Sequence, residues 1–102
     1  DGAGQVLSPV LNRLGRASIR RLYLHLDVDV VDARFAAANA FAPEGGLLPD
    51  QVAKCVSELL ARFDVVAAGV ASYDPAFDMQ GRIGEVVICF LAAVARQRFG
   101  RK

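Results

Sequence analysis

The chain has 102 residues, 54% of them hydrophobic, with 12 basic against 11 acidic side chains and a formal net charge of +1. That length fits one small domain or part of a larger one, and the apolar content argues against disorder. The near balance of charge removes the electrostatic ground for a nucleic-acid partner. The longest apolar run, residues 86–95, falls short of the about 20 residues that a bilayer span needs, so no membrane contact is expected.

Cys55 and Cys89 stand far apart in apolar surroundings, which predicts reduced core residues. With no basic-then-apolar leader at the N-terminus, this points to a cytoplasmic protein. No CxxC or Cys/His cluster suggests zinc. The chain starts at Asp1 without a methionine, as a processed protein or a piece of a longer one does.

Residues 1–5 are Gly-rich and polar and read as a loop. Ser8-Pro9 predicts a helix start, with Ser8 as N-cap and Pro9 at the first helical position. Val10, Leu11 and Leu14 then form a short apolar stripe that Gly15 ends. Residues 20–30 read as a first strand, rich in Leu, Val and Tyr.

Residues 32–49 form a long connection. Ala36-Ala37-Ala38 suit a helical turn, and Asn39, Pro43, Gly45, Gly46 and Pro49 break any regular element. Pro49 and Asp50 open a helix to about Phe63, whose apolar positions Val52, Cys55, Val56, Leu59 and Leu60 recur at helical spacing. Residues 64–71 are apolar almost throughout, which fits a strand covered on both faces. Residues 72–81 are a turn-rich loop, and residues 82–99 a second long helix whose apolar run fits deep burial. Arg96, Arg98, Arg101 and Lys102 cluster at its end, where cations suit the helix dipole.

Strands alternating with helices imply a parallel sheet with helices on its faces. Ligands in such sheets bind beyond the carboxyl ends of the strands. Asp27, Asp29 and Asp32 sit at one such end, and Ser72 and Asp74 follow the other, so both loops face one crevice. Alternation along the first strand puts Leu24, Leu26, Val28 and Val30 on one face and His25, Asp27 and Asp29 on the other. The two Asp α-carbons are then about 6–7 Å apart. Two carboxylates side by side must be hydrated, paired or neutralised by a metal. The plain alternative is the solvated polar face of an edge strand. His25 reads first as a hydrogen-bonded strand residue, Gly45-Gly46 as a turn, and Asp78 as a helix cap. No G-x-S-x-G surrounds Ser72, which leaves a Ser72–His25–Asp triad without support.

Residues 25–32, His-Leu-Asp-Val-Asp-Val-Val-Asp, resemble the third metal-binding motif of the arginase/agmatinase (ureohydrolase) family, D-x-D-x-x-D-P. Residues 39–47, Asn-Ala-Phe-Ala-Pro-Glu-Gly-Gly-Leu, are similar to the loop that follows it. Residues 72–78, Ser-Tyr-Asp-Pro-Ala-Phe-Asp, resemble the family's last active-site loop, E-x-N-P-x-x-D. The resemblance covers the chain from about Ser18 to Gly100. It implies the C-terminal part of an α/β fold, a three-layer α/β/α arginase/deacetylase-like domain with a parallel sheet, present here as a single partial domain over residues 1–102. It further implies two Mn²⁺ ions sharing a hydroxide that attacks a guanidinium carbon. Asp27 would bridge the metals and Asp29 would hold one, an oxygen-rich set that suits Mn²⁺. Asp32 falls on the motif's third Asp, a loop-fixing acceptor, and His25 would orient a ligand carboxylate from behind.

The sequence departs from the family pattern at four places. The two earlier metal motifs, G-G-D-H and D-A-H-x-D, are missing, so the site cannot be complete in this chain. Ala33 replaces the motif's Pro. Ser72 stands where the family has the Glu that binds the guanidinium, and a neutral hydroxyl cannot form the bidentate charge-assisted pair. Asp74 replaces the loop's Asn. The expectation is a manganese-dependent hydrolase of linear amidine or guanidine C–N bonds in the full-length protein, with this chain inactive alone. Ser72 and Asp74 would line the pocket of a small-molecule substrate, and a homo-oligomer stays open. The rival is a truncated or catalytically lost family member with a structural or binding role.

Overall fold

The computed structural model describes residues 2–40 and 45–100. In chain order these form α1 (Gly2–Arg16), β1 (Arg21–Asp27), a 3-10 turn (Val28–Val30), α2 (Pro49–Arg62), β2 (Asp64–Ala71), a second 3-10 turn (Pro75–Phe77) and α3 (Arg82–Phe99). The expected order of elements holds, and α2, β2 and α3 fall where the sequence pattern puts them. Phe41, Ala42, Pro43 and Glu44 of the resembling loop, and Arg101 and Lys102 of the basic terminus, lie outside the described residues.

The first helix differs from expectation. It starts at Gly2, so the loop expected up to Gln5 is helical, and Ser8 and Pro9 lie inside the helix. A proline inside a helix lacks one N–H donor and crowds the preceding turn. The stripe that wins is Leu7, Leu11 and Leu14, which reaches back across Pro9 at helical spacing. Leu11 is 3% exposed, whereas Val10, expected in the stripe, faces solvent. The helix runs one residue past Gly15, and the left-handed residue that closes it is Ser18, whose N–H donates to the Gly15 carbonyl at 3.1 Å.

β1 is also shorter than the expected residues 20–30. It stops at Asp27, whose carboxylate Oδ1 accepts the Asp29 N–H at 3.0 Å and opens the 3-10 turn. An aspartate that bonds its own backbone two residues on competes with the sheet ladder. The alternation therefore fails after Asp27: Val28 is fully buried while Val30 is partly exposed. The chain recovers one parallel bridge at Val31, paired with Leu47.

β1 and β2 pair in parallel, Arg21 opposite Asp64 and Asp27 opposite Ala71, with one irregularity after Leu22. Leu24 and Leu26 on β1 and Ala68 and Val70 on β2 face the helices. There they meet Val28, Val31, Ala38, Val52, Val56, Val65, Ile83, Phe90 and Val94 in one core. α3 packs on β2 and against α2, and α1 packs on α2. The opposite sheet face is open: Tyr23 is 61% exposed, and His25 and Val66 are exposed beside it. The expectation that β2 is covered on both faces is corrected for the described residues, which supply helices to one face only.

Two further expectations are corrected. α3 is not deeply buried all round. It sinks Ile83, Phe90 and Val94, while Ile88, Leu91 and Phe99 lie on an exposed flank. Cys89 is exposed and Cys55 only half-buried, both as free thiols, because each sits at the margin of its helix's core-facing stripe. Among the described residues no helix is long and apolar enough to cross a membrane.

Candidate functional site

The carboxyl ends of both parallel strands deliver their loops to the same end of the sheet. β1 delivers Asp27 and, one turn later, Asp29. β2 runs into Ser72, whose φ of 72° is in the left-handed region that a non-glycine residue enters at a cost. Asp74 then caps the 3-10 turn, its Oδ1 accepting the Ala76 N–H at 3.0 Å.

The two loops are tied together. The Asp74 N–H donates to the Ala38 carbonyl at 2.7 Å. The Asn39 Nδ2 donates to Asp29 Oδ1 and to the Ser72 carbonyl, both at 2.7 Å. Asp27, Asp29, Ser72 and Asp74 thus converge on one edge of the molecule. Asn39 is the connection that sequence reasoning missed, having treated it as a breaker of regular structure. The signal available was a lone amide side chain in an otherwise apolar alanine-rich run.

His25 lies one step back, on the open sheet face. Its Nδ1 is 3.5 Å from the Tyr23 hydroxyl, and the two rings are tilted against each other. Among the described residues it meets Tyr23 and neither aspartate.

Asp32 is handled differently from Asp27 and Asp29. It is buried, and Arg34 closes on it: the Arg34 backbone N–H reaches Oδ1 at 2.9 Å and Nη2 reaches Oδ2 at 2.8 Å. The Arg34 side chain and N–H hold the Asp32 carboxyl down at about 2, against its ordinary 3.8. Gly46 sits against this turn, where a Cβ would collide with the Val30 carbonyl oxygen and crowd the Asp32 N–H. Only glycine lets the strand after the loop come close enough for the Val31 bridge.

Behind Asp74, the buried Asp78 anchors α3. Oδ1 accepts the Ile83 N–H at 3.0 Å, and Oδ2 accepts the Gly84 N–H at 2.8 Å and the Tyr73 hydroxyl at 2.7 Å. Burial pushes this carboxyl up, and the donated bonds outweigh it and bring it below its ordinary value. The same contact raises Tyr73. Asp78 therefore takes up first-turn N–H groups of α3 as the expected cap would, while Gly81 holds the N-cap position itself.

As a metal site, the arrangement is partial. Asp27 and Asp29 are hard oxygen donors of the type Mn²⁺ takes. Each has one oxygen held by an N–H donor, and among the described residues Oδ2 of each carries no hydrogen bond. No group of three or more His, Cys, Asp or Glu able to hold a metal occurs among the described residues. The donor type fits, and the donor number does not close a site within this chain.

The arginase family model matches residues 1–96. Solved structures agree on the fold. Proclavaminate amidinohydrolase from Streptomyces clavuligerus superposes with a TM-score of 0.78 at 24% identity, over 93% of this chain and 31% of that one. Arginase from Bacillus caldovelox gives 0.78 at 20% identity, over 99% and 32%. A hypothetical agmatinase from Burkholderia thailandensis gives 0.69 at 26% identity, over 93% and 31%. The chain spans about a third of the length of these structures. No curated protein sequence matches it.

Proposed function

The chain belongs to the arginase family, and on that premise we propose that the full-length protein is a manganese-dependent hydrolase of linear amidine or guanidine C–N bonds. The observation that carries this is the pair Asp27 and Asp29 at the carboxyl end of β1, with the Ser72–Asp74 loop tied alongside through Asn39. Asp27 and Asp29 are the metal ligands in this reading, and ligands from elsewhere in the full-length protein complete the site.

Each carboxylate is oriented by a neutral N–H donor rather than paired with a cation. With each Oδ1 held by an N–H donor, Oδ2 is the atom that would meet the metal in this reading. Bound there, manganese would supply a water of lowered pKa and polarise the carbon to be attacked. Ser72 and Asp74 line the substrate side. Ser72 offers a neutral hydroxyl where the family resemblance calls for a carboxylate, so a substrate whose cation needs a bidentate partner, such as arginine or agmatine, is disfavoured. The expected substrate is a small molecule and the expected setting cytoplasmic.

The test is Asp27→Ala in the full-length protein. Metal content and hydrolysis should disappear together, and an active, metal-loaded variant would defeat the proposal. A second reading is a family member that has lost catalysis and keeps a structural or binding role. It is favoured by the absence of a third metal-holding side chain among the described residues. Manganese titration of the full-length protein separates the two: tight uptake supports the hydrolase, and none supports the rival.

A further inference from the structure

We propose that Asn39 is the positioning residue that couples the Asp29 carboxylate to the loop after β2. Its side-chain nitrogen carries two hydrogens, and both are committed: one to Asp29 Oδ1 and one to the Ser72 carbonyl, each at 2.7 Å. The amide is planar, so the two bonds fix the angle between the loop that leaves β1 and the loop that leaves β2. The neighbouring residue adds a backbone tie, Asp74 N–H to Ala38 carbonyl at 2.7 Å, and the Ala38 side chain is anchored in the core. Asn39 therefore projects from a fixed point.

The chemistry of the donor matters as much as its position. Asp32, three residues beyond Asp29, is neutralised by the Arg34 guanidinium at 2.8 Å. Asp29 receives a neutral amide, which orients one oxygen and leaves the charge for a cation. The same amide holds the carbonyl of Ser72 in its left-handed backbone conformation, which offsets the cost of that conformation. Displacing Asp29 therefore displaces Ser72, and the metal side and the substrate side of the crevice move as one unit.

This rests on the reading of Asp29 as a metal ligand. The test uses the full-length protein and Mn²⁺ alone, titrated calorimetrically into wild type, Asn39→Ala, Asn39→Ser and Asp29→Ala, with circular dichroism to confirm folding. Asn39→Ala should weaken Mn²⁺ binding about 10–100-fold, the usual effect of removing a group that orients a ligand. Asn39→Ser keeps one donor for two acceptors and should fall between wild type and alanine. If Asn39→Ala does not fold, Asn39→Ser is judged on the same criterion. A lowered melting temperature with unchanged Mn²⁺ affinity in the folded Asn39 variants would overturn the coupling while Asp29→Ala still loses metal. Wild-type affinity in Asp29→Ala, or no uptake by wild type, would overturn the functional reading and the coupling with it.

Discussion

Asp29 and Asp32 are three residues apart and carry the same carboxylate, yet one faces an amide and the other a guanidinium. The difference has a pH signature. Asp32 is held at about 2 against an ordinary 3.8, so the unfolded chain binds the proton more readily between those values. The stability Asp32 adds is therefore complete above the unfolded value and is lost as the pH falls toward 2. Thermal melts of wild type and Asp32→Asn should differ at pH 6 and converge as the pH approaches 2. From the family motif Asp32 reads as a loop-fixing residue; the burial that gives its pairing with Arg34 weight is not a local signal. Gly46 makes a second case. Read as a turn residue, it turns out to face the Val30 carbonyl so closely that a methyl group has no room. Gly46→Ala should cost about 1–3 kcal/mol by forced displacement of the loop, measurable by urea unfolding of the full-length protein.

At the level of elements, one side chain joins three of them. Gln97 on α3 donates through Nε2 to the Leu60 and Phe63 carbonyls at 2.7 and 2.8 Å, and its Oε1 accepts the Val65 N–H at 2.9 Å. It closes the C-terminus of α2, where carbonyls lack intrahelical partners, and starts β2 in register. Gln97→Ala should destabilise by about 2–4 kcal/mol, three bonds at the usual worth of each, visible as a lower urea midpoint. Helical spacing in residues 49–63 and 82–99 made α2 and α3 legible, because amphipathic periodicity and Pro49 are local signals. The ends of α1 and β1 were not. Pro9 is a local start signal overridden by the Leu7–Leu11–Leu14 stripe, and β1 stops where Asp27 bonds its own backbone.

For the whole molecule, the open sheet face and the exposed flank of α3 mark surfaces made to be covered. Tyr23, Val66, Ile88, Leu91 and Phe99 all stand in solvent, and among the described residues each strand has one edge without a partner strand. Such surfaces attract other chains. Expressed alone, this chain should unfold broadly, associate and bind a hydrophobic dye, as a thermal melt with dye fluorescence would report. It should also release no urea, since two carboxylates cannot hold a metal pair. A sharp monomeric transition would show that the helices on one face suffice.

By itself the sequence determined the fold class, the order of elements, and the Asp27/Asp29 and Ser72/Asp74 positions at the carboxyl ends of two parallel strands. These follow from short-range signals: side-chain periodicity, turn residues and motif spacing. The tertiary structure alone decided that Asp32 is buried against a guanidinium while Asp29 faces an amide, and that Asn39 joins the two loops. The loop tie depends on contacts between residues 10 and 33 positions apart, and the burial of Asp32 depends on the packing around it; no local pattern encodes either, and only the packed chain brings them about.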